Sequence, residues 1–268
     1  MVSFPQMRKP SKNKKPPISA IVPCYNEEMW AGEGIRGLLS CSWVDEVIAV
    51  NDGSTDKTLE VLNRFKGQIK IISYQKNKGK GFALAAGISQ AKGEIVVFMD
   101  AHHLNIKNDH LKDLTFPLIQ NQSDVVLATT EAHPPDVCWR FTGFRAYWKK
   151  DLLPYLSQLK KTRFGVEIHL NEIFKKKRSL VIKPKGLVHL AKHQKMPLGQ
   201  IPNATVNQLI EMASALLQTK GFSPTRINRT FDPGKIKNLA GFKKALKKFK
   251  DQDVVNLLKK YLLAYLEE

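Results

Sequence analysis

Five short apolar runs, separated by helix-like stretches, constrain this chain more than any other feature. They are ISAIVP from Ile18, EVIAVND over Glu46–Asp52, IKIISY over Ile69–Tyr74, EIVVFMD over Glu94–Asp100 and DVVLATT over Asp124–Thr130. Each is β-branched and nearly continuous in its apolar character, as strands buried on both faces are. The spacing predicts helices over Glu27–Leu39, Asp56–Phe65, Lys80–Ala91 and His110–Asn121. Strands alternating with helices specify an α/β fold, a mostly parallel Rossmann-like sheet flanked by helices. Ligands of such sheets bind at the carboxyl ends of the strands. Asn26, Glu27, Asp52, Asp100 and His102 all fall at those ends.

The remaining sequence has a different texture. Residues Arg140–Leu156 and Phe164–Lys177 read as helical, with aromatic residues on one side, and Ser179–Leu190 carries a further strand. Ile201–Gln218 reads as a helix. In Gly241–Glu268, apolar residues recur every three or four positions opposite a lysine-rich side. That pattern suits either a helix pair packed on the body or a helix lying on a membrane surface. The expected organisation is a flexible basic arm over 1–17, a main domain over 18–200 and a helical, basic amphipathic extension over 201–268.

The chain has 268 residues, of which 43% are hydrophobic, so a sizeable core can form. Its formal charge of +19 points to an anionic partner, whether a phosphate-bearing substrate, an acidic membrane face or nucleic acid. No run approaches the ~20 apolar residues that span a bilayer. Residues 1–17 lack the apolar segment of a signal peptide. Cys24, Cys41 and Cys138 match no metal or disulfide spacing and read as reduced thiols of a cytoplasmic protein.

Four stretches carry the chemistry. In VPCYNEE, Pro23 is expected to stop the sheet ladder, and Asn26 and Glu27 either cap a helix or meet a ligand. In VNDGSTDKT, Asp52 stands at a strand end beside Gly53, and can accept hydrogen bonds from a base or ribose or simply organise a turn. In NKGKGFALAAG, two glycines flank Lys80 at a helix start, where backbone and ammonium can approach a phosphate. The spacing is neither a Walker loop nor a dinucleotide fingerprint. In MDAHH, Asp100 and His102 lie two apart after a strand and so point the same way. A carboxylate and an imidazole suit Mn2+ or Mg2+, with the imidazole favouring Mn2+. The alternative is a polar turn with His102 and His103 exposed.

Standing in this order, the four motifs resemble the nucleotide-sugar-binding half of a family 2-type glycosyltransferase with the GT-A fold. The resemblance spans Ile18–Asn105. It continues more weakly through RFGVEIHLNEIF (Arg163–Phe174) and GLVHLAKHQK (Gly186–Lys195), which are similar to the glucosyl-3-phosphoglycerate synthase-like and polyprenyl-phosphate branches. It implies that Pro23, Tyr25 and Glu27 line the nucleoside pocket and that Asp52 holds the base. Lys80 and Lys192 are implied at the nucleotide or its diphosphate, and Asp100 and His102 at a divalent metal, Mn2+ or Mg2+. His102 stands where the family pattern has an aspartate. Glu167 is implied to face the acceptor, as a candidate base, and His189 to approach metal and diphosphate from the other side. Asp100, Glu167 and His189 are thus the expected catalytic set.

The expected activity is sugar transfer from a nucleotide-diphosphate sugar to an acceptor, either a lipid phosphate at the membrane surface or a small soluble phosphorylated molecule. A phosphate acceptor needs no base, whereas a hydroxyl acceptor does. A nucleotidyltransferase is disfavoured, because its glycine-rich loop follows the first strand, where VPCYNEE stands here. A nucleic-acid binder is disfavoured because aromatic residues are not interleaved with the basic stretches. The basic tail makes peripheral attachment to the inner membrane face a candidate location.

Overall fold

A computed structural model describes residues 15–129, 142–189, 201–219, 221–232, 234–247 and 256. Nine strands and ten α-helices are described. The strands are β1 (Ile18–Cys24), β2 (Glu46–Asp52), β3 (Lys70–Tyr74), β4 (Ile95–Phe98), β5 (His103–Leu104), β6 (Val125–Ala128), β7 (Arg145–Trp148), β8 (Ser179–Ile182) and β9 (Val188–His189). The helices are α1 (Ala31–Leu39), α2 (Thr58–Asn63), α3 (Lys80–Gln90), α4 (Asn108–Ile119), α5 (Lys149–Leu152), α6 (Leu156–Leu159), α7 (Val166–Ile173), α8 (Ile201–Thr219), α9 (Pro224–Thr230) and α10 (Leu239–Lys247).

Seven strands form one sheet in the order β3-β2-β1-β4-β7-β6-β8. All neighbours are parallel except β7, which runs antiparallel to both β4 and β6. Successive strand residues feed opposite faces. Ala20, Val22, Val47, Ala49, Ile95 and Val97 pack under α1, α2 and α4. Ile21, Ile48, Val50, Val96 and Phe98 pack under α3, α6 and α7. Both faces are therefore covered, which is why the strands read as unbroken apolar runs.

Four expectations need correction. The stretch Arg140–Leu156 is helical only in its second half, where α5 begins at Lys149: residues 145–148 form β7. Its side chains alternate, with Phe144 and Ala146 on the α1 face and Tyr147 on the α3 face, so period two governs there. Pro23 does not end the first strand. The β1–β4 pairing stops at Ile21–Phe98, and Met99 N–H donates to the Ile21 carbonyl. The N–H that Pro23 lacks would face that same side, where β4 has already departed, so the proline lies inside β1 without loss. The first helix starts at Ala31, because Asn26 at φ 54° turns the chain before it. The segment Ser179–Leu190 holds two strands, with β8 in the large sheet and β9 paired antiparallel to β5.

The described part of the chain beyond residue 200 packs on the body. Val206, Leu209, Ile210, Met212 and Ala213 of α8 share a core with Ile168 of α7, and with Phe231, Phe242, Ala245 and Leu246. Most of the proposed amphipathic tail, residues 248–255 and 257–268, lies outside the described residues. Among the described residues, no helix is long and apolar enough to cross a membrane. Cys24 and Cys41 are buried free thiols, and Cys138 lies outside the described residues.

Candidate active site

β1 pairs with β2 on one side and with β4 on the other, so the strand order reverses at β1. The chain leaving β1 and the chain leaving β4 part there, which is where a crevice opens in such sheets. The sequence places Asn26, Glu27, Asp100 and His102 on its two lips.

The loops after β1 and β2 are stitched together. Asn26, in the left-handed region, accepts from Thr55 N–H through Oδ1 at 2.9 Å. Glu27 N–H donates to Thr58 Oγ1 at 2.8 Å. Glu28 N–H donates to Asp56 Oδ2 at 3.1 Å, and Lys57 N–H donates to Glu28 Oε2 at 2.8 Å. These bonds satisfy loop N–H groups that would otherwise compete for ligand. Tyr25 is exposed at this edge, and Pro23 is half-buried.

Asp52 is buried at the end of β2. Its Oδ1 accepts from Lys78 N–H at 2.8 Å, and its Oδ2 from Gly79 N–H at 2.7 Å and Asn77 Nδ2 at 3.1 Å. Burial pushes its carboxyl up, against the pull of those two backbone N–H groups. Asp52 therefore organises the loop that begins α3. Gly79, at φ 95°, closes that loop against the Arg163 backbone, where a Cβ would overlap.

Lys80 is the first residue of α3. A cation there opposes the positive end of the helix dipole, and the first turn has no acidic residue of its own. The compensation is tertiary. Lys80 Nζ lies 2.5 Å from Asp100 Oδ1 and 2.5 Å from Glu167 Oε1, and all three side chains are largely buried. Burial alone would lower the ammonium pKa, but the two carboxylates raise it above the usual lysine range. Burial alone would raise Asp100, but Lys80, then His102 and His103, hold it well below the usual carboxylate range. Gly143 faces Asp100 so closely that a Cβ would overlap both carboxylate oxygens.

Asp100 and His102 lie in the turn that follows β4, and His102 Nδ1 is 3.0 Å from Glu27 Oε1. His103 is not an exposed turn residue: it is 2% exposed, and burial pushes its imidazole down to about 4, against the pull of Asp100. Its backbone pairs with His189 across β5 and β9. The His189 side chain and all of Lys192 lie outside the described residues. No cluster of three or more metal-ligating side chains occurs among the described residues.

Three residues that the sequence did not single out complete the site. Arg145 is buried in β7 and donates to Thr142 O at 2.5 Å and Asn171 Oδ1 at 2.7 Å, and so carries the helix of Glu167. Its buried position in an alternating strand was the available signal, hidden by the helical reading. Asn77 accepts from Arg163 Nη2 at 3.1 Å. Glu211 of α8 accepts from Arg163 Nε and from Phe164 N–H, each at 2.9 Å, and nothing in its local sequence marks it.

Comparison with known proteins agrees with this architecture. The model of the glycosyl transferase family 2 matches residues 19–178, more than half of the chain. An uncharacterized glycosyltransferase of Haemophilus influenzae is 36% identical over 111 residues, which are 40% of this chain and 44% of that protein. The poly-beta-1,6-N-acetyl-D-glucosamine synthase of Staphylococcus epidermidis is 38% identical over 87 residues, 31% of this chain and 21% of that protein. The matched segments thus span less than half the length of these curated relatives. The glucosyl-3-phosphoglycerate synthase of Mycobacterium tuberculosis, solved with phosphoglyceric acid, shares the fold at a TM-score of 0.60 and 21% identity, over 78% of this chain and 82% of that one. The same enzyme was also solved with Mn2+, uridine-diphosphate and glucosyl-3-phosphoglycerate. The sheet is the GT-A sheet, and the chain belongs to glycosyl transferase family 2.

Proposed function

We propose that this enzyme moves a sugar from a nucleoside-diphosphate sugar to a phosphorylated acceptor, with residues 18–200 as the transferase domain and 201–268 as an appended helical unit. The observation that carries the reading is Lys80, held between Asp100 on the donor lip and Glu167 on α7. One ammonium thereby joins the two sides across which a donor and an acceptor must meet.

The roles follow from position. Pro23 and Tyr25 border the nucleoside, and Asp52 shapes its pocket through the 77–79 loop. Glu27 stands between the nucleoside and His102. Lys80, with the α3 N-terminus behind it, faces the diphosphate. Asp100 and His102 offer oxygen and imidazole donors of the right chemistry for Mn2+ or Mg2+, with His189 and Lys192 as candidates from the opposite side. A divalent cation held there supplies Lewis-acid neutralisation of the diphosphate as the sugar–phosphate bond breaks. Lys80 adds fixed positive charge in a site that excludes water, where each contact is strongest. Glu167, on the acceptor helix, orients the acceptor and takes the proton from a hydroxyl if the acceptor has one.

The fold neighbour that binds phosphoglyceric acid supports a phosphorylated acceptor. A lipid phosphate satisfies the same chemistry. Lys243, Lys244 and Lys247 of α10 are exposed, whereas Phe242, Ala245 and Leu246 are buried, so this face of the helix offers charge to an anionic membrane. The test is release of nucleoside diphosphate from a set of nucleotide sugars with Mn2+, offered soluble phosphorylated acceptors or polyprenyl phosphate in anionic vesicles. Acceptor-dependent release in either arm supports the proposal and names the acceptor class. Release that no phosphorylated acceptor stimulates contradicts it.

A further inference from the structure

The contact between Glu27 and His102 spans the crevice between β1 and β4. The motif resemblance assigns Glu27 to the nucleoside, yet its Oε1 lies 3.0 Å from His102 Nδ1, and both side chains are 13% exposed. We propose that Glu27 is a positioning residue for His102: it accepts the Nδ1 proton, so that Nε2 is the nitrogen offered to the cation. The inference rests on the reading of His102 as a cation ligand and specifies how that ligand is prepared.

The chemistry is direct. An ionised carboxylate can only accept a hydrogen bond, so the neutral ring facing it must carry its proton on Nδ1. The lone pair is then on Nε2, at the far end of the ring. A histidine that ligates metal commonly donates its other N–H to a carboxylate or carbonyl, which fixes the tautomer and raises the basicity of the ligating nitrogen. Such a device matters here because residue 102 is an imidazole where the motif pattern has an aspartate. A carboxylate presents two equivalent oxygens whichever way it turns. An imidazole presents one lone pair, and only in one tautomer and one orientation.

Three further features hold the pair in register. Glu27 is fixed through its backbone, its N–H on Thr58 Oγ1 and its carbonyl accepting from Trp30 and Ala31. The 101–102 turn is pressed against α1 at Gly34, where a Cβ would overlap the Ala101 carbonyl oxygen; any larger residue there would lift His102 away from Glu27. The His102 ring stacks on buried His103, with centroids 5.9 Å apart and planes at 14°, and His103 Nδ1 lies 3.2 Å from the Asp100 carbonyl. The imidazole is thus held at one edge by Glu27 and on one face by His103.

The experiment uses the full chain labelled with 15N-histidine, as wild type, Glu27→Gln and Glu27→Ala. Long-range 1H–15N spectra of the metal-free protein, under alkaline conditions that keep imidazoles neutral, report the His102 tautomer. Electron paramagnetic resonance of free Mn2+ then gives cation affinity with a nucleoside diphosphate present. The expected result is a Nδ1–H tautomer in wild type and in Glu27→Gln, whose amide oxygen still accepts, and a mixed tautomer in Glu27→Ala. Mn2+ affinity should fall about ten- to a hundredfold in Glu27→Ala and less in Glu27→Gln, by a larger factor than metal-free nucleotide affinity falls. An unchanged tautomer and Mn2+ affinity in Glu27→Ala, with weakened metal-free nucleotide binding, overturns the proposal and returns Glu27 to the nucleoside. A wild type that binds no Mn2+ with any nucleotide removes the cation reading itself and the proposal with it; the tautomer spectra separate that failure from a loss of the Glu27–His102 contact.

Discussion

The two lips of the candidate site, which the proposed function assigns to donor and acceptor, are built in different ways. The donor lip is assembled from consecutive strand–turn–helix units. Its stitches, Asn26 to Thr55 and Glu28 to Lys57, each cross 29 residues and join neighbouring parallel strands. The acceptor lip is assembled from distant pieces. Arg163 reaches 86 residues back to Asn77 and 48 residues forward to Glu211, and Arg145 reaches 26 residues on to Asn171. Lys80, a buried cation, connects the two, and Arg163 crosses between them at the surface through Asn77. The donor lip is thus specified by a topology that any parallel α/β sheet supplies. The acceptor lip depends on individual polar contacts, any of which a small sequence change could re-aim.

The sharpest way to break that arrangement is at its junction. Replacing Lys80 by Met leaves Asp100 and Glu167 buried side by side without their shared cation. Removing one partner of a buried pair costs about 3–5 kcal/mol. Chemical denaturation should show a loss of that order, and, on the proposed role of Lys80 at the diphosphate, initial rates should fall by at least about 10²-fold. The pH dependence has a definite sign. Asp100 is depressed in the folded state, so its contribution is present above the ordinary carboxylate value of 3.8 and is lost as pH falls through the lower folded value. Wild type should lose this stability only in acid, and Lys80→Met should lack that step.

A smaller effect should separate the lips. Glu211→Ala leaves Arg163 Nε and the Phe164 N–H without their acceptor. For a partly exposed contact this costs about 1 kcal/mol. The acceptor lip should loosen while the donor lip does not, so KM for the acceptor should rise with nucleotide affinity unchanged. Equal losses on both sides in steady-state kinetics and nucleotide titration would mean that the two lips behave as one unit.

The smallest effect concerns α7 itself. His169 is buried, and neither ring nitrogen has a hydrogen-bond partner among the described residues. Burial lowers its imidazole below the ordinary 6.5. The unfolded chain therefore takes up a proton that the folded chain refuses, and stability falls as pH drops below 6.5. His169→Leu should remove that slope and stabilise the fold by about 1 kcal/mol, which thermal melts across the acid range would register.

The same contrast governs what could be seen in the sequence. β1, β2 and β4 were legible because both of their faces are buried, so nearly every residue is apolar. The residues at their ends stood out as the first polar positions after each run. β7 was not legible: it has four residues, its Arg145 is charged although buried, and the flanking aromatics suggested a helical stripe. The start of α1 was misjudged because the positive φ of Asn26 is a tertiary outcome, set by the Ser54–Asp56 turn that it meets. Lys80 was legible as a helix-start lysine between glycines, expected to face a phosphate, but its carboxylate partners were not, since Asp100 and Glu167 come from separate parts of the chain. Glu211 and Asn77 gave no signal, because their partners, Arg163 and Phe164 for Glu211 and Asp52 and Arg163 for Asn77, come from distant parts of the chain.

The measurement that tests the central claim most directly is a thermal-shift panel. Nucleoside diphosphates and nucleotide sugars are each added with and without Mn2+ or Mg2+, to wild type and to Asp100→Asn. A ligand that binds only the folded state raises the melting temperature by mass action. The account predicts a metal-dependent rise for one nucleoside diphosphate and its sugar in wild type, lost in Asp100→Asn. The absence of any shift in wild type, or an equal shift in both proteins, would contradict the placement of the donor over Asp100.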